Sequence, residues 1–178
     1  MNWSEIAPKI KAIVLDVDGV LTDGTVGYGP DGRVKFFNVK DGHAIRMALR
    51  AGLLVGILSG RDDPANRKRA EELGLSFVYV GEKDKRAAFK RLLKEHNLAA
   101  EECLYIGDDV TDIPVLRQAG IGVAVCDADE EVKNQADALS TLAGGKGAVR
   151  QIIVRLMKAQ GIWQQAMARY LEKDEDGA

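Results

Sequence analysis

Asp16 and Asp18 stand two residues apart at the end of an apolar run, Ala12–Leu15, with Gly19 directly after them. An unbroken aliphatic and β-branched run suits a buried strand. The ends of strands in open α/β sheets are where ligands and chemistry collect. Two carboxylates there can hold a hard cation and still supply a nucleophile, although Asp and Gly are also ordinary turn residues that could simply cap a loop. Three further apolar runs end in reactive or phosphate-holding groups. Ser59-Gly60-Arg61 follows Leu54–Leu58 and offers an anion a hydroxyl, backbone amides and a guanidinium. Lys85 opens a helical stretch after Phe77–Val80. Gly107-Asp108-Asp109-Val110-Thr111-Asp112 follows Leu104–Ile106 as a second acidic cluster. Each group alone is unremarkable, since acidic residues favour helix N-termini and a lysine at a helix start is usually solvated. Their joint occurrence at successive strand ends predicts a shared site.

The elements that must position these groups alternate along the chain. Strands are predicted at Ala12–Leu15, Leu54–Leu58, Phe77–Val80, Leu104–Ile106 and Gly122–Val125. Helices are predicted near Gly42–Ala51, Pro64–Leu73, Lys85–Asn97 and Thr111–Ala119. Ala88, Phe89, Leu92 and Leu93 recur at helical spacing, and Gly52, Gly74 and Gly120 follow helical stretches where left-handed caps want glycine. This rhythm predicts a parallel sheet flanked by helices in one domain, residues 1–178. Two segments interrupt it. Residues 25–37 alternate apolar and polar residues around Gly29-Pro30-Asp31-Gly32, the pattern of a β-hairpin, and their place after the acidic motif suggests a flap over the site. Residues 144–171 read as a glycine-rich tail and a helix from about Ala148 to Leu171 with one apolar stripe. Glu172–Ala178 is acidic and reads as a frayed end.

Composition narrows the classes. The formal net charge of −2 argues against a nucleic-acid partner, and no run is long enough for a membrane span. The first residues lack a signal-peptide layout, and Cys103 and Cys126 read as buried thiols in a reducing cytoplasm. His43 and His96 are too few and too scattered for a zinc site.

The four blocks, in their order, resemble the signature of the haloacid dehalogenase superfamily: Asp16–Val20, Ser59, Lys85 and Gly107–Asp112. That resemblance implies a Rossmann-like fold and, through the second aspartate, a phosphatase. It implies Asp16 as nucleophile and Asp18 as acid and then base, with neighbouring carboxylates favouring the protonated form of Asp18. It also implies Mg²⁺ held by Asp16, the Asp18 main-chain carbonyl and Asp108. Ser59 would hydrogen-bond a transferring oxygen and Lys85 would offset negative charge, while Asp109 and Asp112 would orient metal waters and Lys85. Too few residues separate Asp18 from Gly60, or Ser59 from Lys85, for a separate cap domain.

More narrowly, the blocks Leu15–Gly24, Phe37–His43, Ser59–Arg61 and Ala143–Arg150 resemble the uncapped, tetrameric 3-deoxy-D-manno-octulosonate 8-phosphate phosphatases, whose relatives act on sialic-acid-type 9-phosphates. The resemblance implies a phosphosugar-acid substrate and a homotetramer in which each subunit completes its neighbour's site. Substrate contacts would fall on Asp18, Asn38, Val39, Lys40, Asp41, Gly42, Arg46, Arg61, Arg69 and Lys85. Lys40 and Lys146 stand where arginine also occurs, and a lysine lacks the bidentate fork for a carboxylate. Eight- and nine-carbon sugar acids stay open at this level. A phospho-accepting receiver module is the rival from another class, but receivers place their aspartate on the third strand, whereas Asp16 follows the first.

Overall fold

The computed structural model describes residues 2–30 and 32–171. A short helix α1 (Trp3–Ile6) leads into β1 (Ala12–Leu15), every residue of which is buried. Burying side chains such as Ile13, Val14 and Leu15 contributes roughly 1.5–3 kcal/mol each, so this strand is the axis of the core. A two-stranded antiparallel hairpin follows, β2 (Gly27–Gly29) and β3 (Gly32–Val34), with Tyr28 opposite Arg33. The turn residue Asp31 lies outside the described residues.

The chain then alternates through α2 (Val39–Arg50), β4 (Leu54–Ser59), α3 (Pro64–Leu73), β5 (Phe77–Val80), α4 (Lys85–Glu95) and β6 (Cys103–Gly107). It closes with α5 (Ile113–Leu116), β7 (Ile121–Ala124), α6 (Glu130–Gln135), β8 (Ala138–Leu139), α7 (Ala148–Ala159) and α8 (Trp163–Leu171). The main sheet runs β5-β4-β1-β6-β7-β8, all parallel. Helices α2, α3 and α7 pack together as one layer, with α1 and α8 against α7, and α4, α5 and α6 form the other. The connections from β1 lead to β4 on one side, while β6 to β8 extend the other. The C-terminal end of β1 is therefore the switch point where such sheets open a crevice.

Local chemistry fixes the boundaries. Asp63 caps α3 by accepting from the Ala65 amide at 3.0 Å, Pro64 starts the helix, and Gly74 ends it in the left-handed region. Helix α4 stops at Glu95, two residues short of the expected Asn97, which itself takes φ 52°. Instead of a helix over Thr111–Ala119 there is a 3₁₀ turn, Val110–Asp112, and then the short α5. The expected C-terminal helix is two helices, because Gly161 adopts φ 74° between them. Residues 172–178, read from sequence as a frayed acidic end, lie outside the described residues. Cys103 is buried, but Cys126 is exposed rather than buried; both are free. Among the described residues no helix is long and apolar enough to cross a membrane.

Candidate active site

Register in the sheet assembles the site. Leu15 pairs with Ile57 on one side and Ile106 on the other, so Asp16 emerges from the central strand and Ser59 and Asp108 from its two neighbours, one residue further along. The Asp16 amide extends the ladder by donating to the Ile106 carbonyl at 3.0 Å. The strand ends open into a cleft of about 490 Å³, lined among others by Asp16, Asp18, Ser59, Arg61, Lys85 and Asp108. Asp109 also lines it, as do Lys83 and Thr111, two polar residues to which the sequence reading gave no role.

Lys85, the first residue of α4, is buried and lies 2.7 Å from Asp16 Oδ1 and 2.5 Å from Asp112 Oδ1. Burial opposes its charge, but Asp16 and Asp112 outweigh that and hold its pKa above the ordinary lysine value. Asp112 is fully committed. Its Oδ1 accepts from Lys85 and the Tyr105 hydroxyl, and its Oδ2 from the amides of Asp108 at 2.9 Å and Asp109 at 3.1 Å. It is the brace that fixes the lysine and the second acidic loop together, while Asp109 caps the 3₁₀ turn through the Val110 amide.

Asp16 and Asp108 carry the strain of this arrangement. Burial, and after it the Asp112 charge, pushes the Asp16 carboxyl up to about 6 in spite of Lys85. Burial, then Asp16 and Asp112, pushes Asp108 up to about 8. Carboxyl oxygens of Asp16, Asp108 and Asp112 lie within 4.8 Å of one another. Asp108 Oδ1 is buried without a hydrogen-bond partner, an expensive state for a carboxylate oxygen. A hard divalent cation would relieve both the crowding and that orphaned oxygen. With Asp112 saturated, the acidic side chains free to hold a cation are Asp16 and Asp108. Gly19 makes this approach possible: at φ 92°, a Cβ there would fall 2.0 Å from Asp108 Oδ2.

Asp18 lines the same cleft but stands outside the cluster of Asp16, Asp108 and Asp112. The groups at ion-pair distance from it are cations, not the carboxylates expected from sequence. Lys35 Nζ is 2.6 Å from Oδ1 and Arg61 Nε is 3.7 Å from Oδ2. Lys35, directly after the hairpin's return strand, escaped the sequence reading altogether. Ser59 is buried and its Oγ accepts from the Arg61 amide at 3.3 Å, leaving its own proton to donate.

The remaining expected substrate residues do not line this cleft within one chain. Asn38 caps α2 through the Lys40 amide and donates to the Gly145 carbonyl at 3.2 Å. Asp41 is buried and accepts from the Arg150 amide at the start of α7 at 2.7 Å. Gly42 backs onto the Arg69 guanidinium, and Arg46 ties to the Leu73 carbonyl at 3.0 Å. Arg69 pairs with Glu72 at 2.9 Å and lies over the Phe37 ring. Val39 is exposed, and Lys40 faces a separate groove with Lys146 and Arg150. The glycine block packs behind the catalytic loop of its own chain. The Gly145 amide donates to Val20 at 2.9 Å, and a Cβ on Gly144 would fall 1.7 Å from the Gly19 carbonyl oxygen.

Comparison with known proteins finds chains similar in sequence and fold. A family model for haloacid dehalogenase-like hydrolases matches residues 76–153. The chain is 42% identical over 154 residues to the 3-deoxy-D-manno-octulosonate 8-phosphate phosphatase of Haemophilus influenzae, covering 86% of each chain. It is 42% identical over 156 residues to the Escherichia coli K12 phosphatase of the same name, covering 87% of this chain and 83% of that one. Among solved structures, the Moraxella catarrhalis 3-deoxy-D-manno-octulosonate 8-phosphate phosphatase, in complex with magnesium ion, phosphate ion and KDO, aligns with a TM-score of 0.91 at 34% identity over 94% of this chain and 97% of that one. The cobalt-bound Haemophilus influenzae enzyme aligns with a TM-score of 0.87 at 38% identity, over 93% and 99%.

Proposed function

The chain belongs to the 3-deoxy-D-manno-octulosonate 8-phosphate phosphatase family of haloacid dehalogenase-like hydrolases, and on that premise we propose that Asp16 is the nucleophile with which it hydrolyses this sugar-acid phosphate. The enzyme is a Mg²⁺-dependent phosphoric monoester hydrolase. The observation that carries the residue assignment is the position of Asp16: at the end of the central strand, ion-paired to a buried lysine and beside an unpartnered Asp108 oxygen.

A phosphate monoester resists hydrolysis strongly, so catalysis rests on positioning and charge neutralisation. Asp16, Asp108 and the Asp18 main-chain carbonyl would hold the Mg²⁺, which when bound supplies positive charge to the phosphoryl oxygens. An Asp16 oxygen attacks phosphorus, forming an O–P bond as the bond to the sugar oxygen breaks. Asp18 gives that oxygen its proton. In the second half Asp18 takes a proton from a water as it attacks the aspartyl-phosphate, releasing inorganic phosphate and restoring Asp16. Ser59 donates its hydroxyl to a transferring oxygen. Lys85, held by Asp112, balances the charge gathering at Asp16.

The sugar acid would be gripped by Arg61 in this chain and, from a neighbouring subunit, by Asn38, Val39, Lys40, Asp41, Gly42, Arg46 and Arg69, which do not line the cleft of their own chain. We therefore read the protein as a homotetramer with neighbour-completed sites and the hairpin as its flap; the exposed Tyr28, Phe36 and Val39, at 83%, 82% and 77%, support that reading. Two free thiols suit a reducing cytoplasm. Asp16→Asn tests the central assignment. Turnover of the phosphosugar should disappear and acid-quenched phosphoenzyme should be undetectable, with the fold retained by circular dichroism. Substantial turnover in that variant would defeat the nucleophile assignment.

A further inference from the structure

The hairpin carries a lysine that no role above explains. Val34 and Phe36 point outward, whereas the Lys35 side chain between them is 0% exposed. Burying an ammonium is costly unless it is paired and hydrogen-bonded. Its Nζ donates to Asp18 Oδ1 at 2.6 Å and to Asn66 Oδ1 on α3 at 2.9 Å, and lies 3.9 Å from Asp63 Oδ2. Arg33, two residues earlier, pairs with the same Asp63 oxygen at 3.4 Å. The hairpin is thus pinned to the start of α3 by two cations, and one of them continues to Asp18. Lys35 is not among the residues that line the cleft, and it meets the site through the Asp18 carboxylate it holds.

We infer that Lys35 is a positioning residue that fixes the Asp18 carboxylate for proton transfer to the departing sugar oxygen, coupling the hairpin's docking to the chemical step. One Asp18 oxygen is anchored by the ammonium, while Oδ2 accepts no hydrogen bond. An acid mispositioned by about 1 Å can lose on the order of 100-fold in rate. The inference rests on Asp18 being the proton donor, and the test separates the two ideas.

The phosphosugar is an alkyl ester whose leaving oxygen is strongly basic and needs a proton; p-nitrophenyl phosphate releases a weakly basic phenolate that does not. The quantity to measure is the alkyl-to-aryl ratio of kcat/KM, which reports steps through leaving-group departure. Lys35→Met should lower this ratio about 10- to 100-fold, and Asp18→Asn should lower it further. A pure scaffolding role would depress both substrates together and leave the ratio unchanged. An unchanged ratio in Lys35→Met beside a lowered one in Asp18→Asn overturns the assignment to Lys35. An unchanged ratio in Asp18→Asn overturns the proton-donor reading beneath it. Should Lys35→Met fail to fold, Asn66→Ala removes the second anchor of the ammonium. It should lower the ratio in the same direction by less, and an unchanged ratio there likewise overturns the inference.

Discussion

Gly19→Ala separates the stability of the catalytic loop from its capacity to hold a cation. A Cβ at this position would lie 2.0 Å from Asp108 Oδ2 and 2.5 Å from Asp108 Cγ. Comfortable contact is about 3.5 Å, so the carboxylate must swing aside by roughly 1.5 Å. It is the far end of a side chain and can do so cheaply. The cost to the fold is therefore mainly the backbone: alanine at φ 92° is disfavoured by about 1–2 kcal/mol. For a chain of this size that lowers Tm by about 2–8 °C. The functional cost is far larger, because metal–ligand distances tolerate only about 0.2 Å. Mg²⁺ affinity measured by titration calorimetry should fall by at least about 10-fold, or about 1.4 kcal/mol. Gly52→Ala is the control, since Gly52 has φ 90° with nothing within 4 Å of a built Cβ. It should show a similar Tm loss with unchanged Mg²⁺ affinity. Wild-type Mg²⁺ binding by Gly19→Ala, or equal loss by Gly52→Ala, would refute the reasoning.

Two further outcomes follow from the charges and the exposed surface. Asp16 and Asp108 hold protons more tightly folded than unfolded, with pKa values raised from 3.8 to about 6 and about 8. The metal-free fold therefore binds more protons than the unfolded chain across that window. The stability this confers is present in full below about pH 4 and is lost as pH rises through 6 and then 8. Melting in chelator should show Tm falling from pH 5 to 8, with Mg²⁺ restoring it progressively more at higher pH; a slope that persists unchanged in Asp108→Asn would contradict this origin. Replacing exposed Phe36 by Asp should dissociate the proposed tetramer in light scattering and abolish phosphosugar turnover, and a fully active monomer would exclude neighbour-completed sites.

How much of this was readable in advance depended on how local each signal is. Strands Ala12–Leu15 and Phe77–Val80 and helix Pro64–Leu73 begin and end at the residues expected, because apolar runs, a capping aspartate, Pro64 and Gly74 act over a few positions. The nucleophile loop, Ser59, Lys85 and the second acidic cluster were visible for the same reason: each sits at a strand or helix terminus. The stretch after Asp109 broke the expectation because Asp112 turns back to accept two amides, which no hydrophobic period reveals. Helix α6 is short and largely polar, and strand β8 has only two residues, so neither gives a periodic signal. Lys35 was missed because its partners lie 17 and 31 residues away. In sequence it is a hairpin lysine like any other. The substrate contacts proposed for Asn38 through Arg69 require a second chain, which one sequence does not display; within the chain Asn38, Asp41, Arg46 and Arg69 bond to their own subunit.

Gly144 and Gly145 press against the main chain of Gly19, Thr22 and Asp23 in the nucleophile loop, and α7 starts three residues after Gly145, tied by its Arg150 amide to Asp41. Contact there is main chain on main chain, with no rotamers to absorb a displacement. The nucleophile loop and the segment leading into α7 thus share one close joint. Substitutions along the outer face of α7 can be absorbed by side-chain rotation, but a single added residue between Ala143 and Ala148 would strip the backing from the magnesium loop.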